Sequence, residues 1–409
     1  MSLLADMFRA KVATMDYNMK NEATDEVGYP TGFLNFDFTN GFIAEELDPS
    51  TGKVNQYFNL GITDGTFVTF IGNTGTGKTT FVCQLAANIA RQFKTATIFE
   101  DSVEGGLTFT RRLSLSLFTA EEYKKRYIIR NTGITAENFY KRIKMIHDMK
   151  IQNKDKFIYD TGHKDMYGNP IMKLEPTIYI LDSIAMIMPE KYAEEDELSG
   201  NSAAAASARV ITQIFRTIIP MLKAANIILI GINHILEDVS MNAMPKKVAV
   251  PYLKQGERMP KGRTVTFLAN NIIRIENVAK LTADKEYKIE GSVVEISILK
   301  SRTSGKKGGT RVIYDFDNGF DPWLSLLRFM KDNNLLYGAG VSLSVDPEKK
   351  YKFSQGNFRE KINNDPEFRK FFMDTVLHYL KQIPTKRDVV AEDSDVDELL
   401  NNQDIFKLE

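Results

Sequence analysis

The sequence is poor in the residues that announce several common function classes. Cys83 is its only cysteine, which excludes an internal disulfide framework and a cysteine-based zinc site. Its four histidines, His147, His163, His234 and His378, fall at no metal-ligand spacing. Neither sign of charge is in excess: 53 basic residues balance 53 acidic ones. Bulk charge therefore does not announce nucleic acid, and any such site must rest on local segregation of charge. No apolar run approaches the ~18–20 residues of a membrane-spanning helix, and the N-terminus has no signal-peptide layout. With a lone cysteine, this gives the expectation of a cytoplasmic protein without a membrane partner. There is no internal repeat and no low-complexity tract.

What is present is an ordinary globular composition, 43% hydrophobic and 26% charged over 409 residues, enough chain for one large domain or two smaller ones. Residues 3–15, "LLADMFRAKVATM", read as a short amphipathic helix, and residues 1–30 as a separate arm. A Pro49-Ser50-Thr51-Gly52 cluster marks a hairpin-like turn. From Thr66 strands and helices alternate. "TFVTFIG", "TATIFED", "TIYILDS" and "NIILIGIN" read as strands; "KTTFVCQLAANIARQF", "TAENFYKRIKMIHDMK" and residues 203–223 read as helices. In the last of these Val210, Ile211, Ile214, Phe215, Ile218, Ile219 and Leu222 recur at helical spacing, and Pro220 is placed to kink its end.

Short, nearly all-apolar strands separated by helices predict an α/β fold with a mostly parallel central sheet covered on both faces. "NNIIRIENVAK", "VVEISILKSR" and "TRVIYDFDNG" predict further, antiparallel strands. "YDTGHKDMYGNPIMKLEP" looks like an inserted hairpin over 159–176, of no evident role. The chain divides into an arm at 1–30, a core at 31–330, a small α-rich module at 331–384 and an acidic tail at 385–409. The tail carries Glu392, Asp393, Asp395, Asp397 and Glu398 with few apolar residues, a composition that favours disorder.

The sharpest motif is "GNTGTGKT", Gly72 to Thr79, a G-x-x-x-x-G-K-[ST] phosphate loop between an expected strand and an expected helix. Gly72, Gly75 and Gly77 permit a tight loop whose backbone N–H groups face a phosphate, and the helix end adds partial positive charge. Gly72, Asn73, Thr74, Gly75, Thr76, Gly77, Lys78, Thr79 and Thr80 form the expected ATP contact. Lys78 would reach the β- and γ-phosphates and Thr79 would hold Mg²⁺. Asp182 ends the strand "TIYILDS", where parallel sheets bind ligands, and is the expected second magnesium residue, supported by Ser183. A carboxylate must also orient the attacking water. "TATIFEDSVEGG" offers Glu100, Asp101 and Glu104. Glu104, opening the turn before Gly105-Gly106, is preferred, with Glu100 as the alternative.

These residues resemble the RecA-type recombinases, and more closely the UvsX-type recombinases of T-even-like phages. The resemblance covers most of residues 30–380. It rests on the phosphate loop, the "EGG" turn, "ILDS", the strand ending "GINH", "LKSRT" at 299–303 and "GFDPWLSLL" at 319–327. It implies a RecA-like core that binds ATP between neighbouring copies in a helical filament on single-stranded DNA, pairs that DNA with a homologous duplex, and works in the host cytoplasm if phage-encoded. It implies two DNA-facing loops, about 188–202 and 235–263. In the second, Lys246, Lys247, Lys254, Arg258, Lys261 and Arg263 outnumber Glu237, Asp238 and Glu257, which suits a phosphate backbone. By the same resemblance His234, next to Asn233, senses the γ-phosphate and couples it to that loop. Lys300 and Arg302, two apart on a strand and so on one face, reach a neighbour's phosphates, and Phe267 packs into a neighbouring copy. The acidic tail is expected either to compete with DNA for the basic loop or to recruit mediator and single-strand-binding proteins.

The sequence departs from the family by one extra residue between Asp101 and Glu104, by the 159–176 insertion, and by a longer segment near "DPSTGK". Two other functions share the phosphate loop: a DnaB-type ring helicase, and a nucleotide-gated DNA-binding protein without turnover. The short stretch before the first core strand argues against the helicase.

Overall fold

The computed structural model describes Met7 and residues 26–193, 200–237, 251–284, 286–339 and 342–384. It is an α/β structure organised on one nine-stranded sheet. The strands are β1 (Phe67–Gly72), β2 (Ile98–Ser102), β3 (Tyr127–Arg130), β4 (Thr177–Asp182), β5 (Ile227–His234), β6 (Asn271–Leu281), β7 (Gly291–Ser301), β8 (Gly308–Asp315) and β9 (Gly319–Asp321). Their spatial order is β9-β8-β7-β6-β1-β5-β4-β2-β3. The six from β6 to β3 are parallel, and β6 through β9 pair antiparallel. Both halves agree with the reading of the sequence.

The helices are α1 (Leu34–Asn40), α2 (Lys78–Arg91), α3 (Phe109–Ser116), α4 (Ala120–Arg126), α5 (Ala136–Gln152), α6 (Gly200–Ala224), α7 (Gly262–Leu268), α8 (Pro322–Asp332), α9 (Phe358–Asn364) and α10 (Pro366–Leu380). Alternate strand residues feed opposite faces of the sheet, as the period-2 geometry of a strand requires. Val68, Phe70, Ile178, Ile180, Ile228 and Ile230 pack with Phe81, Leu85 and Ile89 of α2. Phe67, Ile71, Tyr179, Leu181, Ile227 and Leu229 pack with α5 and α6. Each face is therefore covered, which is why these strands read as continuous apolar runs.

A third core lies over the antiparallel end. It joins α8, α9 and α10 to Leu34 and Phe38 of α1, to Phe58 and Leu60, and to Val293 and Ile313 of the sheet. The boundary expected at 330 falls inside α8, and the C-terminal helices share their core with the N-terminal part of the chain.

Two hairpins stand outside the sheet. Phe42–Leu47 pairs with Val54–Asn59, and Ile158–Lys164 with Pro170–Leu174. The second is the expected insertion. The two touch each other: the Tyr57 ring stacks on His163 at 3.8 Å, and the Leu47 N–H donates to the Asp165 carbonyl. The α3–α4–β3 stretch had no counterpart in the sequence reading. The segment 235–263, expected as a loop, has regular structure at both of its described ends. Leu236–Glu237 pairs with Glu257–Arg258, and α7 begins at Gly262, so Arg263 lies in a helix. The expected N-terminal helix and the acidic tail lie outside the described residues. Among the described residues no helix is long and apolar enough to cross a membrane.

Candidate nucleotide site

The phosphate loop leaves the C-terminal end of β1 and runs into α2, in the arrangement that the motif needs. Gly72 has no room for a side chain, because a Cβ there would lie 2.3 Å from the Ile275 carbonyl oxygen. Gly77 precedes α2 at φ 83°, and a Cβ would press on the Tyr314 and Phe320 rings at 3.0 Å. Asn73, Thr74 and Gly75 are exposed, while Thr76, Lys78 and Thr80 are buried. The Thr76 hydroxyl donates to the Asn73 carbonyl at 3.0 Å, and the Thr80 hydroxyl lies 3.4 Å from that of Tyr314.

The Lys78 ammonium folds back on its own loop, donating to the carbonyls of Gly72 (3.0 Å) and Asn73 (2.7 Å). Burial lowers its pKa to about 8, against the opposing pull of Asp182 and Glu104. A buried cation at a helix N-terminus, held only by carbonyls and near two carboxylates, suits a polyphosphate. The Thr79 hydroxyl donates to Asp182 Oδ2 at 2.9 Å. Burial raises the Asp182 pKa to about 6; Glu104 and Glu100 add to the rise, while Thr79 and His234 oppose it. Among the described residues no three His, Cys, Asp or Glu side chains converge as metal ligands. One carboxylate and one hydroxyl nevertheless fit Mg²⁺, which takes few protein ligands and fills its octahedron with phosphate oxygens and water.

Glu104 joins this group from the turn after β2. Its Oε1 accepts from Ser183 Oγ at 2.5 Å and lies 2.9 Å from His234 Nε2. The Val103 N–H donates to the Asp182 carbonyl at 2.6 Å, tying the turn to the end of β4. Thus Lys78, Thr79, Asp182, Glu104 and His234 meet at one end of the parallel strands.

Neither family models nor curated proteins match this chain. The site therefore stands on its own geometry.

Glu100 does not join the site, which corrects its place as the alternative base. Strand alternation turns it under α3, where it is buried, paired with Arg112 at 2.6 Å, and accepts from the Tyr127 hydroxyl at 2.7 Å. Asp101 faces the other way and accepts from Tyr179 and Arg142.

Asn233 and His234 split their contacts. His234 reaches Glu104, while Asn233 Nδ2 donates to the Pro260 carbonyl at 2.8 Å, at the far root of the long loop. The next residue, Lys261, is not free for DNA as expected. Its ammonium donates to the carbonyls of Ile184 and Ala185, both at 2.9 Å, and of Ile187. Burial lowers its pKa to about 8. Lys254 pairs with Glu276 at 2.6 Å, and Arg258 is exposed. Lys246 and Lys247 lie outside the described residues, as does the Arg263 side chain.

Lys300 and Arg302 also have partners within the chain. Lys300 donates to the carbonyls of Thr266 (2.8 Å) and Ala269 (2.7 Å), and Arg302 to that of Phe267. Both sit at the C-terminal end of α7, where unpaired carbonyls and the helix dipole favour cations. Phe267 itself is 67% exposed, so it is not a core residue. The sequence reading missed Arg112 altogether. Its one local signal is Thr108, which caps the N-terminus of α3 by accepting from the Arg111 N–H.

Proposed function

We propose that this chain is a RecA-type, DNA-dependent ATPase that assembles with its own copies into helical filaments on single-stranded DNA and pairs that strand with a homologous duplex. The observation that carries the reading is the meeting of Lys78, Thr79, Asp182, Glu104 and His234 at the C-terminal ends of adjacent parallel strands, linked by the Thr79–Asp182 and Ser183–Glu104–His234 contacts. That set supplies each part a phosphoryl transfer to water needs: a cation for the transferred group, a metal-binding pair, a base and a group able to report on the γ-phosphate.

In this reading the Lys78 ammonium exchanges two loop carbonyls for phosphate oxygens. Thr79 and Asp182 would hold Mg²⁺, which would supply neutralising charge to the transferred phosphoryl group. Glu104 orients a water and takes its proton. His234 changes partner between Glu104 and the γ-phosphate. Asn233, its neighbour on β5, transmits the movement to Pro260 and so to the root of the basic loop. Lys300 and Arg302 can reach a neighbour's phosphates only by leaving α7, so in the lone chain they hold the helix that presents Phe267 to the next copy.

ATP turnover with and without single-stranded DNA tests the enzyme reading. Replacing Glu104 by Gln should lower DNA-stimulated turnover by about 10²–10⁴-fold, the range for a general base, and leave ATP binding intact. Undiminished turnover in Glu104→Gln would remove it as the base. A parent chain with no turnover on DNA would remove the ATPase reading.

A further inference from the structure

The turn that carries Glu104 has little packing of its own. Gly105, at φ 65°, and Gly106 follow it, and a Cβ added at either would meet nothing within 4 Å. The carboxylate is held by Ser183 and His234, and in the proposed cycle His234 leaves it for the γ-phosphate. What else fixes the turn, among the described residues, is its backbone, tied at Val103 and Glu104 to the Asp182 carbonyl, the Leu107 side chain packed on the core, and the guanidinium of one arginine.

That guanidinium belongs to Arg112 of α3, which is 4% exposed. Its Nη2 donates to Ser102 Oγ at 3.1 Å, where the turn begins, and its Nη1 to the Leu107 carbonyl, where the turn ends. Its Nε and Nη2 donate to Glu100 at 3.0 and 2.6 Å. Glu100 is the counter-charge that a buried guanidinium needs. It is fixed in turn by the Tyr127 hydroxyl, which lies 3.5 Å from Cys83 Sγ of α2. The planar fork of an arginine can serve these three directions at once, and the point charge of a lysine cannot.

We propose that Arg112 is the positioning residue for Glu104. By joining Ser102 to Leu107 it closes the turn into a ring braced on β2 and β3, and it holds the carboxylate at its working distance once His234 lets go. The inference rests on the ATPase reading, in which Glu104 is the base.

The test compares the full chain with Arg112→Lys, with the charge-neutral pair Glu100→Gln and Arg112→Gln, with Glu104→Gln, and with each brace variant combined with Glu104→Gln. The readouts are DNA-stimulated kcat, KM for ATP and the thermal midpoint. The brace variants should lose about 10²-fold in kcat, the scale of a 1 Å misplacement, with KM within about twofold, as for an interaction felt only in the transition state. Added to Glu104→Gln they should cause no further loss, because residues that act through one another are not additive. A folded brace variant at the parent kcat in an active parent overturns the brace alone, as does a full additional loss on top of Glu104→Gln. An inactive parent, or Glu104→Gln at the parent rate, overturns the reading beneath it.

Discussion

Asp182 shows how the site works against the stability of the nucleotide-free chain. Its folded pKa of about 6 lies above its ordinary value of 3.8, mainly because it is buried. The folded state thus holds a proton that the unfolded state has released between those values, so stability falls as pH rises from about 4 to about 6 and stays lower above. Asp182→Asn removes that charge. It should stabilise the nucleotide-free chain at pH 7–8 by up to about 3 kcal/mol for a rise of some two pK units, seen as a higher melting midpoint, while abolishing turnover. The gain over the parent should be absent near pH 4 and grow toward pH 6. A gain independent of pH would show that something other than the carboxylate charge is responsible.

The residues legible in the sequence here were those tied to a local pattern: Lys78 and Thr79 by the loop motif, Asp182 by its place at the end of an apolar strand. Glu104 is preferred for opening the Gly105-Gly106 turn, but no local pattern removes Glu100 as the alternative. Glu104 lies off the strand, in the turn, whereas Glu100 belongs to the strand face that α3 covers. Which helix covers which face depends on the topology, and the local sequence does not carry it.

At the scale of elements, α7 is the part that the sequence concealed. It is seven residues long, too short to show a helical repeat, and its Gly262-Arg263 start reads as a continuation of the loop. Tertiary contacts hold it: Lys261 and Asn233 near its start, Lys300 and Arg302 at its end. Long strands and helices were read correctly because their apolar spacing extends over many residues, while α3 and α4 were missed because theirs does not.

The α7 contacts predict that replacing Lys300 and Arg302 together by Met weakens the nucleotide-free chain by about 1.5–3 kcal/mol, the range for hydrogen bonds to charged groups. Denaturant melting at low protein concentration checks this. An unchanged midpoint would return both residues to a purely intermolecular role. The long loop makes a separate prediction. Because Lys261 is bound to the turn after β4, the proposed DNA charge contacts pass to the other basic residues of the loop, Lys246 and Lys247 among them. Replacing that pair by Ala should lower the salt slope of single-strand binding by about 1.4, or about 0.7 for each phosphate released. An unchanged slope, measured by titration at several salt concentrations, would remove them from the DNA site.

The whole molecule shares its cores across the expected boundaries. Helices α8 to α10 complete a core with α1, Phe58 and Leu60, so the C-terminal helices brace the antiparallel edge of the sheet. The two hairpins that pack on each other through Tyr57 and His163 account for two of the departures seen in the sequence, the 159–176 insertion and the long segment near "DPSTGK". Their register shows how they fold, and no local motif in either assigns them chemistry. Assembly is a property of several copies, and it is where the proposed function differs most from its alternatives. Electron microscopy of the full chain with single-stranded DNA, Mg²⁺ and a non-hydrolysable ATP analogue addresses it most directly. The account predicts continuous helical filaments coating the DNA, absent without the analogue. Closed six-membered rings, or isolated monomers on DNA in the presence of the analogue, would contradict it.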